Sequence, residues 1–280
     1  MPYHDDHPSA CCGTHPNASC WCNSTDCNGL IFATIVWVFI LFAAAVTLVV
    51  IIDTELELYN GVVILFLIAM ALWSHLKTTL SDPGVVPPNA HPLPHTDANG
   101  QPAPLTMCGR CDGYRPPGSH HDRVSNRCIS RMDHFCPWMN NAIGAKNQKN
   151  FFLFLIYTNL ASCYMYVVLA LHLVDCGEFT CFTGVGLQLV RVLIFVLLFG
   201  IIFTTSMILN QVYGLSIGLG TIDRMKLKKD DVEMGTPVPF THVFGSSWPT
   251  YFLPLDPVWD NEEEVFHYRV ADELFSSDKL

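Results

Sequence analysis

Charge is scarce in this sequence, and cations are scarcest. Only 14% of the 280 residues are charged, with 15 Lys and Arg against 25 Asp and Glu. A net charge of −10 does not suit a chain that must neutralise phosphate backbones, so nucleic acid is not an expected partner. Residues 1–29 contain no Lys or Arg, and no signal-peptide pattern precedes the first apolar run. No ionisable cluster sits in the middle of the long apolar stretches, which argues against a transporter. Half of the residues are hydrophobic, which places the chain among membrane proteins.

Four apolar stretches carry that composition. Residues 30–52 are interrupted only by Thr34 and Thr47, and at about 1.5 Å per residue they span a bilayer core of roughly 30 Å. An acidic connector, 53–60, leads to a second span at 61–80, where Ser74, His75 and Lys77 are expected to snorkel toward an interface. Asp82-Pro83-Gly84 ends it, because proline lacks the amide hydrogen and opposes helix before itself. Residues 85–107 read as a Pro-rich linker. The third span is 151–174 and the fourth 189–215, with Arg191 and Thr204-Thr205 facing the bundle or an interface. Between them lie Cys176 and Cys181, either a disulfide in an oxidising compartment or two free thiols. The expected fold is a membrane all-α protein with four transmembrane helices and a cysteine-rich loop, 81–150, between helices 2 and 3.

The flanking segments are polar. Residues 1–29 hold His4, His7, His15, Cys11, Cys12, Cys20, Cys22 and Cys27 without an apolar period, and read as a disordered tail. The sharper alternative is a set of self-acylated or metal-binding cysteines. Residues 216–280 form a C-terminal segment with Arg224, Lys226, Lys228 and Lys229, then Trp248, Tyr251, Phe252 and Trp259. The loop carries Arg110, Arg115, Arg123, Arg127, Arg131, Lys146 and Lys149, whereas neither short connector has a cation. The positive-inside rule therefore puts the loop and both termini in the cytosol. Asn17-Ala-Ser and Asn23-Ser-Thr match the glycosylation pattern but are read as chance on that side.

The chemistry concentrates between Cys108 and Asn150. Cys108-x2-Cys111, His121 and Cys128 supply three thiolates and an imidazole, the donor set of one closed structural zinc site. Asp133-His134-Phe135-Cys136 then places a carboxylate, a base and a thiol within four residues. An imidazole held by a carboxylate is the simplest way to activate a thiol as a nucleophile.

The run MDHFCPWMNNAIGAKNQKNFF resembles the signature of the DHHC-type protein S-acyltransferases, membrane enzymes that put fatty acyl groups on protein cysteines. Asp82-Pro83-Gly84, Thr221-Ile222-Asp223 and Val243-Phe244-Gly245 extend the resemblance, which covers roughly residues 60–255. It implies two interleaved zinc sites. The first is complete here, while Asp122, Ser125, Phe135 and Ala142 replace every ligand of the second, so one zinc is expected. Phe135 would fill part of the vacated volume and Ala142 would accept it. Gly118 replaces a basic residue and Pro239 a usual Asn.

The resemblance implies palmitoyl transfer from acyl-CoA through a Cys136 acyl-enzyme, with His134 as base and Asp133 orienting it. Acceptors would be substrate proteins with membrane-proximal cysteines, beside membrane lipids. Arg115 and His120 are candidates for the CoA phosphates. Trp138 and the third-span face bearing Tyr157, Ala161 and Tyr164 are candidates to line the tail cavity. The resemblance also implies that Val243-Phe244-Gly245 packs on the loop, and its similarity to Golgi-type members suggests the Golgi or another endomembrane. The competing expectation is a catalytically impaired scaffold that recruits partners.

Overall fold

A computed structural model describes residues 12–14, 20–52, 54–94, 105–176, 182–230 and 235–270. His4, His7, Cys11, His15, Asn17 and Cys181 lie outside the described residues. Two short strands, β1 (Cys12–Gly13) and β2 (Cys20–Trp21), precede the helices α1 (Cys27–Val50) and α2 (Glu57–Leu80). The loop then contributes β3 (Ala90–Pro92), β4 (Met107–Cys108), β5 (Gly113–Tyr114), β6 (His120–Asp122), β7 (Arg127–Ile129), β8 (His134–Cys136) and β9 (Asn141–Ile143). Helices α3 (Gln148–Asp175), α4 (Gly184–Ser216), α5 (Thr221–Asp230), α6 (Phe240–Phe244) and α7 (Glu262–Phe266) follow, and β10 (Tyr268–Val270) ends the described chain.

Among the described residues, helices α1 to α4 are the four long and apolar enough to cross a membrane. The helices extend past the apolar runs that announce them. Asp26 caps α1 by accepting from the Asn28 amide, so the helix begins at Cys27 rather than Leu30. Similarly, α2 begins at Glu57 rather than Gly61, and α4 at Gly184 rather than Leu189. Polar residues at the loop end of α2 depart from the snorkelling expectation. Ser74 and His75 are buried, and only Lys77 reaches outward, to Asp256 at 2.8 Å. On α4, Thr204 is buried and bonds the Gly200 carbonyl, whereas Arg191 is exposed.

Three devices seat the loop on one end of the bundle. Asp82 closes a turn after α2 by accepting from the amides of Gly84 and Val85, at 2.9 and 2.8 Å. The chain then runs beside β7, through Val86 N to Cys128 O and Ser130 N to Gly84 O. Asn141 donates to the Thr78 and Ser81 carbonyls, both at 2.9 Å, satisfying the open end of α2. Gly144 lies so close that a Cβ there would meet Ile129 and the Pro83 carbonyl at 2.5 Å, so only glycine fits.

The segment before α1 departs from the expected loose tail. Trp21 Nε1 donates to Asn141 at 3.0 Å, and Asn23 and Asn140 exchange bonds at 3.2 and 2.6 Å. This strap holds the start of α1 at the same end of the bundle as the loop. Cys22 and Cys27 are free thiols, while Cys20 is disulfide-bonded, as is Cys176 after α3. Asn23 is only 6% exposed and its amide nitrogen is already engaged, so the Asn23-Ser-Thr pattern has no room for a glycan.

The C-terminal segment wraps the same end. Val243 and Phe244 pack against Met70, Ala71, Phe152 and Leu153 on α2 and α3, and Arg131 from the loop donates to the His242 carbonyl at 3.1 Å. Lys149, counted among the loop cations, is fully buried and donates to the Leu255 carbonyl at 3.1 Å. Strand β10 pairs antiparallel with β3, and Val265, Phe266 and Tyr268 cover Cys108 and Cys128. Expressed in a eukaryotic host, the protein should carry no glycan at Asn23. A glycosidase-sensitive mobility shift that disappears in Asn23→Gln would contradict the docked strap.

Candidate active site

The site rests on the antiparallel hairpin β8–β9. Side chains on a strand alternate between faces, so His134 and Cys136 share one face and Phe135 takes the other. Cys136 is 4% exposed and packs with Met139, Ile143, Phe151 and Phe154 at the loop end of the bundle. Opposite it, Phe135 pairs in register with Ala142 and packs with Ile129, Met132 and Ile222. Phe135 thus packs over Ala142 on the face of β8 opposite Cys136. Asp122 and Ser125 satisfy each other, because Asp122 accepts from the Ser125 amide at 2.8 Å and its hydroxyl at 2.6 Å.

His134 has an oxygen partner on one side of its ring and the Cys136 sulfur on the other. Its Nδ1 lies 2.6 Å from Asp133 Oδ2, which fixes the proton on Nδ1. Its Nε2 is buried with no nitrogen or oxygen partner, and the Cys136 side chain is the other group that bonds the ring. Burial opposes a charged imidazole, yet hydrogen bonds to Asp133 and Cys136 outweigh it and raise His134 to about 9. Burial likewise opposes the Asp133 carboxylate, but the bond from His134, with donors from Thr221 and Gln211, brings it down to about 2. The Thr221 amide, at the start of α5, reaches Asp133 Oδ1 at 2.7 Å and its hydroxyl reaches Oδ2 at 3.1 Å. Gln211 on α4 adds a third bond to Oδ2 at 2.7 Å.

Beyond Cys136, the turn Pro137–Met139 presents Trp138 to the bundle. Its ring meets Phe32 of α1 at 4.9 Å and Phe203 of α4 at 6.0 Å. Its carbonyl is held by His75 Nε2 at 2.9 Å, while Trp37 donates to His75 Nδ1 at 3.2 Å. Trp138 lines an apolar cavity of about 90 Å³ with Val36, Ala71, Ala161, Met165 and Phe203. Of the third-span candidates, Ala161 lines it. Tyr157 turns away to the Phe252 carbonyl at 2.6 Å and Tyr164 to Asn60 at 2.8 Å, because each hydroxyl finds a partner outside the apolar space.

The ligand atoms of Cys108, Cys111, His121 and Cys128 lie within 4.8 Å of one another. Cys111 Sγ is 3.2 Å from His121 Nδ1 and 3.6 Å from Cys128 Sγ. A tetrahedral zinc with Zn–S of about 2.3 Å sets edges of roughly 3.5–3.8 Å, so the four donors suit one such ion. The far side of the imidazole, Nε2, bonds Asn126 at 3.2 Å and leaves Nδ1 as the ligand. Burial and the neighbouring sulfurs of Cys108 and Cys111 push the Cys128 thiol far up, so three thiolates here need a cation. Among the described residues no other such cluster occurs.

The candidate phosphate contacts fare differently. His120 bridges to α5, with Nε2 at 2.9 Å from Asp223 and Nδ1 at 3.3 Å from Lys226. An incoming anion there must compete with Asp223. Arg115 is half-buried after β5, its amide bonded to Thr106.

The chain belongs to the DHHC palmitoyltransferase family. The family pattern matches residues 101–228, which hold Asp133, His134, Cys136 and the cluster Cys108, Cys111, His121 and Cys128. Palmitoyltransferase ZDHHC3 of Rattus norvegicus is 32% identical over 260 residues, covering 86% of each chain. Palmitoyltransferase ZDHHC7 of Mus musculus is 33% identical over 213 residues, covering 72% of this chain and 69% of its own. A probable protein S-acyltransferase 14 of Arabidopsis thaliana matches at 35% over 127 residues, or 39% of this chain and 41% of its own.

Sequence reasoning did not find Gln211 or His75 as parts of the site. The signal available was their polarity inside apolar stretches. Metal analysis of the purified protein should return one zinc per chain, and two would contradict a single site. Phe135→Ala should lower stability by about 2 kcal/mol in thermal or denaturant unfolding while leaving zinc content unchanged.

Proposed function

We propose that this protein is a membrane-embedded protein S-palmitoyltransferase that works through a Cys136 acyl-enzyme. The observation that carries the reading is the ordered set Asp133–His134–Cys136, with Cys136 set among the membrane helices. The fatty tail of palmitoyl-CoA enters the cavity beside Trp138, where each buried methylene contributes about 0.8 kcal/mol. Its thioester stays at the rim. His134 carries the Cys136 proton at Nε2 as an imidazolium, which Asp133 steadies. The sulfur attacks the acyl carbonyl carbon, the bond from that carbon to the CoA sulfur breaks, and CoA leaves with the proton from His134. A substrate cysteine then gives its proton to His134, its sulfur takes the acyl carbon, and Cys136 is released.

Zinc held by Cys108, Cys111, His121 and Cys128 would be structural, tying the loop beneath the hairpin. Arg115 remains the candidate for CoA phosphate, with His120 in reserve behind Asp223. The cations of the loop and of α5 support a cytosolic face for the loop. Acceptors would be membrane-proximal cysteines of other proteins, and the resemblance to Golgi-type members suggests an endomembrane setting. No observation favours a scaffold, since the replaced metal position lies on the face of β8 opposite Cys136.

Incubation of purified protein with labelled palmitoyl-CoA should give hydroxylamine-sensitive label that vanishes in Cys136→Ser. Equal labelling of both would remove Cys136 as nucleophile. Asp133→Asn should slow turnover by about 10²- to 10⁴-fold. The sign of the pH effect on stability follows from the two shifts. His134 is raised, so its contribution is full below about 6.5 and fades as pH rises through about 9. Asp133 is depressed, so its contribution is full above about 4 and fades as pH falls through about 2. Unfolding measured across pH should place this contribution's maximum between about 4 and 6.5, and Asp133→Asn should flatten it.

A further inference from the structure

The Asp133 carboxylate draws support from two transmembrane helices. Gln211 is 1% exposed and Gln148 5% exposed, each inside the bundle end where an unmet amide is costly. An amide side chain has one donor end and one acceptor end, and which faces Asp133 decides whether it attracts or repels. Gln148 Nε2 donates to Gln211 Oε1 at 3.2 Å, and Gln148 Oε1 accepts from Arg131 Nη2 at 3.5 Å. With its oxygen so engaged, Gln211 turns Nε2 to Asp133 Oδ2 at 2.7 Å. Three donors therefore converge on Oδ2, namely His134, Gln211 and the Thr221 hydroxyl.

We propose that Gln211, oriented by Gln148, is a positioning residue for acyl transfer: it holds the Asp133 carboxylate charged and aimed at His134. The proposal rests on Asp133, His134 and Cys136 acting as the reactive set. Among the described residues, Gln211 is the side chain of α4 that bonds Asp133 directly, while Asn210 reaches only the Thr221 hydroxyl, at 3.3 Å. The nearest titratable side chains are His134 and Cys136 on the adjoining strand β8, with Arg131 reaching Asp133 only through Gln148. From α5, Arg224 touches the Thr221 hydroxyl at 2.9 Å and Asp223 is paired with His120. Lys149 on α3 points elsewhere, to the Leu255 carbonyl. A cavity of about 70 Å³ borders Arg131, Asp133, Gln148 and Gln211, so residues of similar size fit without a clash.

The test compares Gln211→Met, Gln211→Glu, Asp133→Asn and the double variant Gln211→Met/Asp133→Asn, purified at matched zinc content and thermal stability. CoA release is followed against palmitoyl-CoA concentration and pH. Gln211→Met is expected to lower kcat by about ten- to a hundredfold with KM little changed. Its acid limb should rise by about half a pH unit or more, because a donor to the charged carboxylate is lost. Gln211→Glu keeps the shape, sets a second carboxylate beside the first and should move that limb further. The double variant should be no slower than Asp133→Asn alone, since Gln211 acts through that carboxylate. An inactive Asp133→Asn beside a Gln211→Met with wild-type kcat and pH profile overturns this proposal alone. Losses that multiply in the double variant also overturn it. Full turnover in Asp133→Asn removes the reactive set itself, and the proposal with it.

Discussion

The account depends on the two-residue alternation of one short strand. Because β8 is extended, His134 and Cys136 point the same way and Phe135 points the opposite way. One slip in register would send the thiol to the loop interior and the phenyl ring into the bundle. The register is pinned by pairing with β9, and β9 is pinned by Asn141 on the open carbonyls of α2. Membrane helix and catalytic loop thereby fix each other.

That alternation also keeps the two faces of β8 apart, with His134 and Cys136 on one and Phe135 packed on the other. Asp122 and Ser125 close a turn with their own hydrogen bonds, and Phe135 and Ala142 form an apolar cross-strand pair. The remaining set, Cys108, Cys111, His121 and Cys128, is covered by Val265, Phe266 and Tyr268 from the far end of the chain. The C-terminal segment is thus part of the loop's fold.

Much of this was legible in the residues themselves. Four unbroken apolar runs announced the helices, and the cysteine spacing announced the metal cluster, because both signals are local. Residues whose roles depend on distant partners were not legible. Tyr157 and Tyr164 share a face with Ala161 by helical spacing, yet their hydroxyls found Phe252 and Asn60. Trp21 and Asn23 looked like parts of a loose tail because their partners, Asn141 and Asn140, are more than a hundred residues away. His75 read as an interfacial polar residue and Gln211 only as a polar residue near the end of the fourth span, yet both are buried.

The central claim is that one sulfur, on the helix-facing side of β8, carries the acyl group between donor and acceptor. Peptide mapping after exposure to palmitoyl-CoA, before any acceptor protein is added, tests it most directly. The account predicts a palmitoyl thioester on the peptide containing Cys136. A palmitoyl group on Cys22 or Cys27 with Cys136 unmodified in a transfer-competent preparation would contradict it.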